Sequence, residues 1–199
     1  MKMKKIFPDD FMWGVATSSY QIEGAAFEDG KGLSVWDTFS HEHGRIKNNE
    51  NGDITCDHYH LWKNDIEILD DLGVQAYRLS VSWPRINPTG FDKTPNKKGL
   101  DFYDRLVDNL LEKDIIPFIT LFHWDLPQEL EDKGGWTVRD IIDAFVQYVD
   151  MISRYLGDRV KHWITHNEPW CVSYLGYING QFPPGIKDSW SKSFATVHH

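Results

Sequence analysis

Apolar positions along the chain alternate between two periods. Phe11 to Thr17 is a short apolar run leading into the polar Ser18-Ser19-Tyr20-Gln21, which reads as a strand with a polar tip. From about Gly24 to Thr55 the sequence is polar and rich in Gly and Asn, longer than an ordinary connection and therefore a candidate functional loop. Tyr59, Trp62, Ile66, Leu69 and Leu72 then recur at helical spacing, with Gly73 placed to end the helix. Ala76 to Trp83 reads as a strand stopped by Pro84. Leu100, Tyr103, Leu106, Val107, Leu110 and Leu111 form the apolar face of a second helix. Ile115 to Phe122 reads as a buried strand, with Pro117 tolerable near its start. A third helix is predicted to open at Thr137, whose spacing to Asp140 resembles a capping arrangement, and to end at Gly157. Its stripe is Ile141, Phe145, Tyr148, Val149, Ile152 and Tyr155. Val160 to Thr165 is the next strand, and Trp190 to His199 looks like the start of a further helix.

Strand and helix thus alternate four times. Near-continuous apolar strands joined by crossover helices imply a parallel sheet in an α/β fold. The 199 residues are 41% hydrophobic and 26% charged, as expected of one globular domain, and no Ser/Gly/Pro-rich linker divides them. A net charge of -9 argues against nucleic acid as a partner. The one basic cluster, Lys2 to Lys5, precedes Ile6-Phe7-Pro8-Asp9-Asp10 and no apolar leader core. No apolar run approaches the roughly 20 residues of a membrane helix. Cys56 and Cys171 make no disulfide framework and are expected as free thiols in the cytoplasm.

The polar residues at the strand ends carry the chemistry. Gln21 follows the first strand, Arg78 lies in the second, His123 ends the third, and Asn167-Glu168 end the fourth. In a (β/α) barrel such positions converge on one mouth. Glu168, between an amide and Pro169-Trp170, is a natural general acid if desolvation raises its carboxyl pKa; the competing role is a cap on the next helix. Gln, Asn and His together offer donors and acceptors suited to sugar hydroxyls, although His123 alone could be a satisfied core histidine. Arg78 in an apolar strand needs an anionic partner, and a structural pairing with a nearby Asp is the alternative. With 9 Trp, 8 Tyr and 11 Phe, many aromatics belong to the core. Those in Ser82-Trp83-Pro84, His123-Trp124-Asp125 and Pro169-Trp170 sit at strand ends, where an indole can stack on a sugar face. His41/His43 and His58/His60 lie close in sequence, but no His-Glu-x-x-His pattern or Gly-rich phosphate loop accompanies them. Neither a metal nor a cofactor is expected.

Several blocks in order resemble the amino-terminal part of glycoside hydrolase family 1, the β-glucosidase family. They are Phe11 to Gly24, Tyr77 to Ile86, Leu121 to Pro127, Asn167-Glu168-Pro169-Trp170, and Gly180-Gln181-Phe182-Pro183-Pro184-Gly185. Two positions depart from the family pattern: His166, where a hydrophobic or aromatic residue is usual, and Pro183, where a small residue is common. The resemblance implies a TIM (β/α)8 barrel, of which residues 1–199 supply about the first four βα units and stop within the fourth helix. It also implies a retaining mechanism on a β-glycoside or oligosaccharide. Glu168 would match the acid/base; Gln21, His123 and Asn167 the ligands of the non-reducing sugar, with Asn167 on the 2-hydroxyl; and Trp124 part of that subsite. Arg78 would match the arginine lying against the nucleophile carboxylate, and Trp170 and Cys171 would wall the acid or the aglycone side.

The nucleophile is missing. Retaining glycosidases need two carboxylates about 5–5.5 Å apart, and the family's Thr-Glu-Asn-Gly segment does not occur here. Glu23, Asp125 and Glu129 belong to loops or turns and are expected as hydrogen-bonding or surface residues. Two readings follow: the acid/base half of a β-glucosidase that needs the complementary carboxyl-terminal half, or a non-catalytic half-barrel that binds sugar or self-associates.

Overall fold

The computed structural model describes residues 7–199; the basic tail from Lys2 to Lys5 lies outside them. Four parallel strands, β1 (Gly14–Ala16), β2 (Ala76–Ser80), β3 (Ile116–Phe122) and β4 (His162–His166), pair in sequence order. The crossovers are the helices α3 (His58–Asp71), α5 (Lys97–Glu112) and α7 (Ile141–Leu156). Tyr77 and Leu79 of β2 and Ile119 and Leu121 of β3 are at most 3% exposed, in one cluster with Leu106, Leu110, Tyr148 and Ile152 from the helices. Side chains alternate across a strand, so Arg78, Ser80 and Thr120 fall on the opposite face, the inner face of the partial barrel. Among the described residues no helix is long and apolar enough to cross a membrane.

The remaining helices sit at the strand ends: α1 (Ser19–Ile22), α2 (Val35–His41), α4 (Trp83–Ile86), α6 (Gln128–Glu131), α8 (Pro169–Cys171) and α9 (Trp190–His198). Here the structure corrects several expectations. The first strand is shorter than Phe11–Thr17, with only Gly14, Val15 and Ala16 in register with β2. Pro84 does not merely stop β2. It lies in the first turn of α4, where its missing N–H and fixed φ favour helix initiation.

The Gly24–Thr55 segment is not structureless, since it carries α2 and a short 3-10 turn at Lys47–Asn49. Ser34 and Asp37 form a reciprocal capping box on α2, and Asp37 also pairs with Lys31 at 2.8 Å with both side chains buried. Val35 N donates to Leu126 O at 2.8 Å and Gln128 N to Leu33 O at 2.8 Å, which pins the segment to the loop after β3. At Gly24, where φ is +63°, a Cβ would come within 2.2 Å of the Ile54 carbonyl oxygen, so the two ends of the segment can close only over a glycine.

Thr137 does not cap α7. It lies in a 3-10 turn at Gly135–Thr137 and its hydroxyl donates to Gly134 O at 2.6 Å, while Asp140 occupies the N-cap position. The same Ser/Thr-x-x-Asp spacing is therefore a cap at Ser34 and not at Thr137. Ser34→Ala should lower stability by about 1 kcal/mol, whereas Thr137→Ala should change it by less than about 0.5 kcal/mol. Urea unfolding of both variants, compared at constant denaturant dependence, checks the contrast; equal losses would remove the distinction.

Candidate active site

Gln21 comes from α1, a single turn whose orientation follows from its own sequence. Ser19 and Glu23 are four residues apart and buried, at 3% and 4% exposure, so they share the inward face of the turn. Gln21, between them, is exposed. Ser19 N donates to Ser80 Oγ at 2.7 Å, and Ser19 Oγ donates to Asp125 Oδ2 at 3.0 Å. Glu23 accepts from Arg85 Nε at 2.9 Å and from the Tyr103 hydroxyl. The Arg85 guanidinium also lies 4.1 Å from the centroid of the Tyr59 ring. Glu23 and Asp125 are thus buried hydrogen-bonding residues that hold α1 against β2 and the end of β3, and Glu129 is on the surface.

At the end of β3, His123 and Trp124 are half-buried. Trp124 has φ of +78°, a conformation that side-chain-bearing residues adopt only when their surroundings impose it. Its indole N–H donates to Asn167 O at 2.9 Å, and its ring packs on Phe182 at 5.5 Å and stacks on Trp36 at 6.5 Å. Gln21, His123 and Trp124 open on one cleft of about 340 Å³, whose far wall is Tyr20, Trp36 and the segment around Asn51 and Gly52. The long polar segment therefore does border the site.

Asn167 follows β4 and is 9% exposed. Its backbone N–H donates to Phe122 O at 2.9 Å, its amide oxygen accepts from Arg78 Nη2 at 2.6 Å, and its amide nitrogen lies 3.1 Å from His123 Nε2. Arg78 Nε donates to Thr120 Oγ1 at 3.0 Å. No carboxylate pairs with Arg78 among the described residues, so the structural pairing with an Asp is not found and neutral acceptors take its place. Burial, reinforced by the Arg78 charge, pushes His123 down to about 4, the Glu168 carboxylate acting in the opposite sense. His123 is therefore neutral at physiological pH.

Glu168 stands at the N-cap position of α8 with φ of +46°, and its side chain makes no capping hydrogen bond, so the helix-cap role is not realised. Its side chain is exposed, and the desolvation expected around a general acid is not supplied by the described residues. Next to it, burial and the neighbouring Glu168 carboxylate push the Cys171 thiol up, which keeps it protonated. His166, the departure from the family pattern, acts as a half-buried aromatic: its ring stacks on Phe145 at 4.7 Å and meets Trp136 edge-on at 5.2 Å, and partial burial lowers its pKa.

Of the residues singled out from the sequence, Gln21, His123 and Trp124 line one cleft, while Asn167 is hydrogen-bonded to Arg78 and Trp124 and lies 3.1 Å from His123 Nε2. The strand-end reading missed Tyr20, Trp36 and Phe182 as cleft walls, and it missed the Glu23–Arg85–Tyr103 cluster. The Ser34-x-x-Asp37 spacing was the available signal for α2 and Trp36. His58 is bound to Asp65, and His60 to Asp57 and Glu28; among the described residues no group of three or more His, Cys, Asp or Glu could hold a metal ion.

Burial raises Asp125 to about 7. A carboxyl that keeps its proton to higher pH when folded than when unfolded makes stability fall as pH rises from its ordinary value of 3.8 to about 7. Replacing Asp125 with Asn should flatten the stability profile over that window. An unchanged slope in pH-dependent urea unfolding would contradict the assignment.

The model of Glycosyl hydrolase family 1 matches residues 3–199. The chain is 57% identical over 197 residues to a 1,4-beta-D-glucan glucohydrolase of Thermotoga neapolitana, covering 99% of this chain and 46% of that protein. It is 54% identical over 199 residues to Beta-glucosidase A of Thermotoga maritima, covering 100% and 44% respectively. The structure superposes on the Thermotoga maritima beta-glucosidase in complex with castanospermine with a TM-score of 0.94 at 55% identity, covering 96% of this chain and 43% of that one. The chain thus spans slightly under half the length of these relatives, and its four parallel strands are part of a TIM barrel.

Proposed function

The chain belongs to glycosyl hydrolase family 1, and we propose that it supplies the acid/base-bearing half of a retaining β-glycosidase acting on terminal β-D-glucosides or related β-glycosides. The observation that carries this reading is the joining of Asn167, immediately before Glu168, to His123, Arg78 and Trp124 through hydrogen bonds between the ends of β2, β3 and β4. Gln21, His123 and Asn167 then present an amide, a neutral imidazole and a second amide to the hydroxyls of one sugar, with Trp124 as the apolar wall. Glu168 would protonate the departing glycosidic oxygen and afterwards deprotonate water. Arg78 Nη1 makes no hydrogen bond among the described residues and is available to a nucleophile carboxylate on a complementary half. The free thiols Cys56 and Cys171 suit a cytoplasmic setting.

In this reading residues 1–199 are the amino-terminal half of one catalytic barrel, inactive or nearly so alone. Its edges support the need for a partner, either the complementary carboxyl-terminal half or another copy. Among the described residues β1 and β4 each lack a neighbour on one side, and beside β1 Phe11, Met12 and Trp13 are 40%, 44% and 53% exposed. Unpaired edges with apolar neighbours invite association. The exposure of Glu168 also favours a second reading, a non-catalytic half-barrel that binds sugar.

In the assembled enzyme Glu168→Gln should slow hydrolysis of glycosides with poor leaving groups by about 10²–10⁴-fold. Aryl glycosides with acidic leaving groups should be spared in the first step, and added azide should restore part of the turnover. Near-parental cellobiose hydrolysis would exclude Glu168 as the acid.

The chain without a partner is expected to self-associate or to be partly unfolded at its edges, with glycosidase activity appearing only on addition of a carboxyl-terminal half. Size-exclusion chromatography with an aryl-glucoside assay, in both conditions, tests this. A monodisperse monomer that turns over at enzyme-like rates would refute it.

A further inference from the structure

The hydrogen bonds around Asn167 run in one direction only. Arg78 reaches the Asn167 side chain with Nη2 at 2.6 Å, and a guanidinium has five donors and no acceptor. The Asn167 atom facing it must be the oxygen. Turned over, the amide would set N–H against N–H in a site where Asn167 is 9% exposed, leaving both groups without acceptors. With its oxygen committed, Asn167 offers its NH2 to His123 Nε2 at 3.1 Å. Only a lone pair can receive an N–H, so Nε2 carries no proton. His123 Nδ1 is buried and has no partner among the described residues. That holds in either neutral form, so Nδ1 cannot select between them and the contact at Nε2 must.

We propose that Arg78 is a positioning residue of the sugar site: by claiming the Asn167 oxygen, it turns the amide NH2 to His123 and fixes the imidazole as the Nδ1–H tautomer, with Nε2 an acceptor. A sugar hydroxyl that displaces the Asn167 amide from Nε2 must then donate its proton there. The second N–H of Asn167 remains for a neighbouring hydroxyl. This consequence for the sugar rests on the reading of His123 and Asn167 as sugar ligands; the tautomer does not. The depressed pKa of His123 agrees with a ring that stays neutral.

The test is long-range 15N–1H correlation of the imidazole in the 15N-histidine-labelled protein at mildly alkaline pH, with the His123 signals assigned by their loss in His123→Gln. The parent should show the proton on Nδ1. In Arg78→Met the amide is free to turn, and the Nε2–H form should appear. In Asn167→Asp the carboxylate accepts from both sides, so the proton should move to Nε2 while the pairing with Arg78 is kept; this variant carries the test if Arg78→Met does not fold. A parent protonated on Nε2, or an Arg78→Met or Asn167→Asp protein still wholly Nδ1–H, would overturn the proposal. The tautomer is read without turnover. A protein that shows the Nδ1–H form yet stays inactive when a carboxyl-terminal half is supplied would therefore sink the glycosidase reading and leave this assignment standing.

Discussion

A guanidinium in the middle of a sheet cannot be left without acceptors, and much of the architecture follows from how Arg78 is satisfied. β2 and β3 pair with Arg78 opposite Phe118 and Ser80 opposite Thr120. Paired residues in a parallel register share a face, so the Arg78 side chain lies along the row that contains Thr120 and can bond it. Its other partner, Asn167, comes from the turn after β4. That turn is held from two further directions, through Phe122 O and the Trp124 indole. One cation thus couples β2 to β3 and to the turn after β4, and a shift of register by one residue would move Arg78 to the helix-packed face, away from Thr120 and Asn167.

Beneath this layer lies a second, which sets the position of Gln21. Glu23, Arg85 and Tyr103 satisfy one another in a buried cluster, and Asp125 anchors Ser19. Such groups add little net stability compared with apolar packing, but removal of any one strands the others. Their effect is geometric: α1 has a single allowed orientation over the cleft. The apolar helices pack against the opposite face of the sheet, so rigidity and chemistry occupy separate faces of the same strands.

The carboxylates that follow β3 and β4 occupy opposite environments. Asp125 is 1% exposed and hydrogen-bonded to Ser19; Glu168 is exposed at a turn with left-handed backbone. A positive φ at both Trp124 and Glu168 sets their side chains over the mouth of the sheet, at a conformational cost that the surrounding hydrogen bonds offset. His123, 3.1 Å from the Asn167 amide nitrogen, is held neutral by burial and by Arg78.

The alternation of strand and helix, the parallel sheet and the strand-end placement of Gln21, His123, Asn167 and Glu168 were legible in the residues alone. Hydrophobic period reports burial directly, and a strand's polar tip follows from its apolar body. Cap assignment was not legible: Ser34 and Thr137 share a spacing, and only the neighbouring chain decides which hydroxyl is free to cap. The order inside the Gly24–Thr55 segment was likewise hidden, because it depends on bonds to Leu126 and Gln128, far away in sequence. Arg78 announced that it needed partners but not which ones. Its neutral acceptors, the orientation of the Asn167 amide and the ring nitrogen that bears the His123 proton are relations among residues on separate strands. Local propensity carries no information about such relations, and only the tertiary register brings those atoms together.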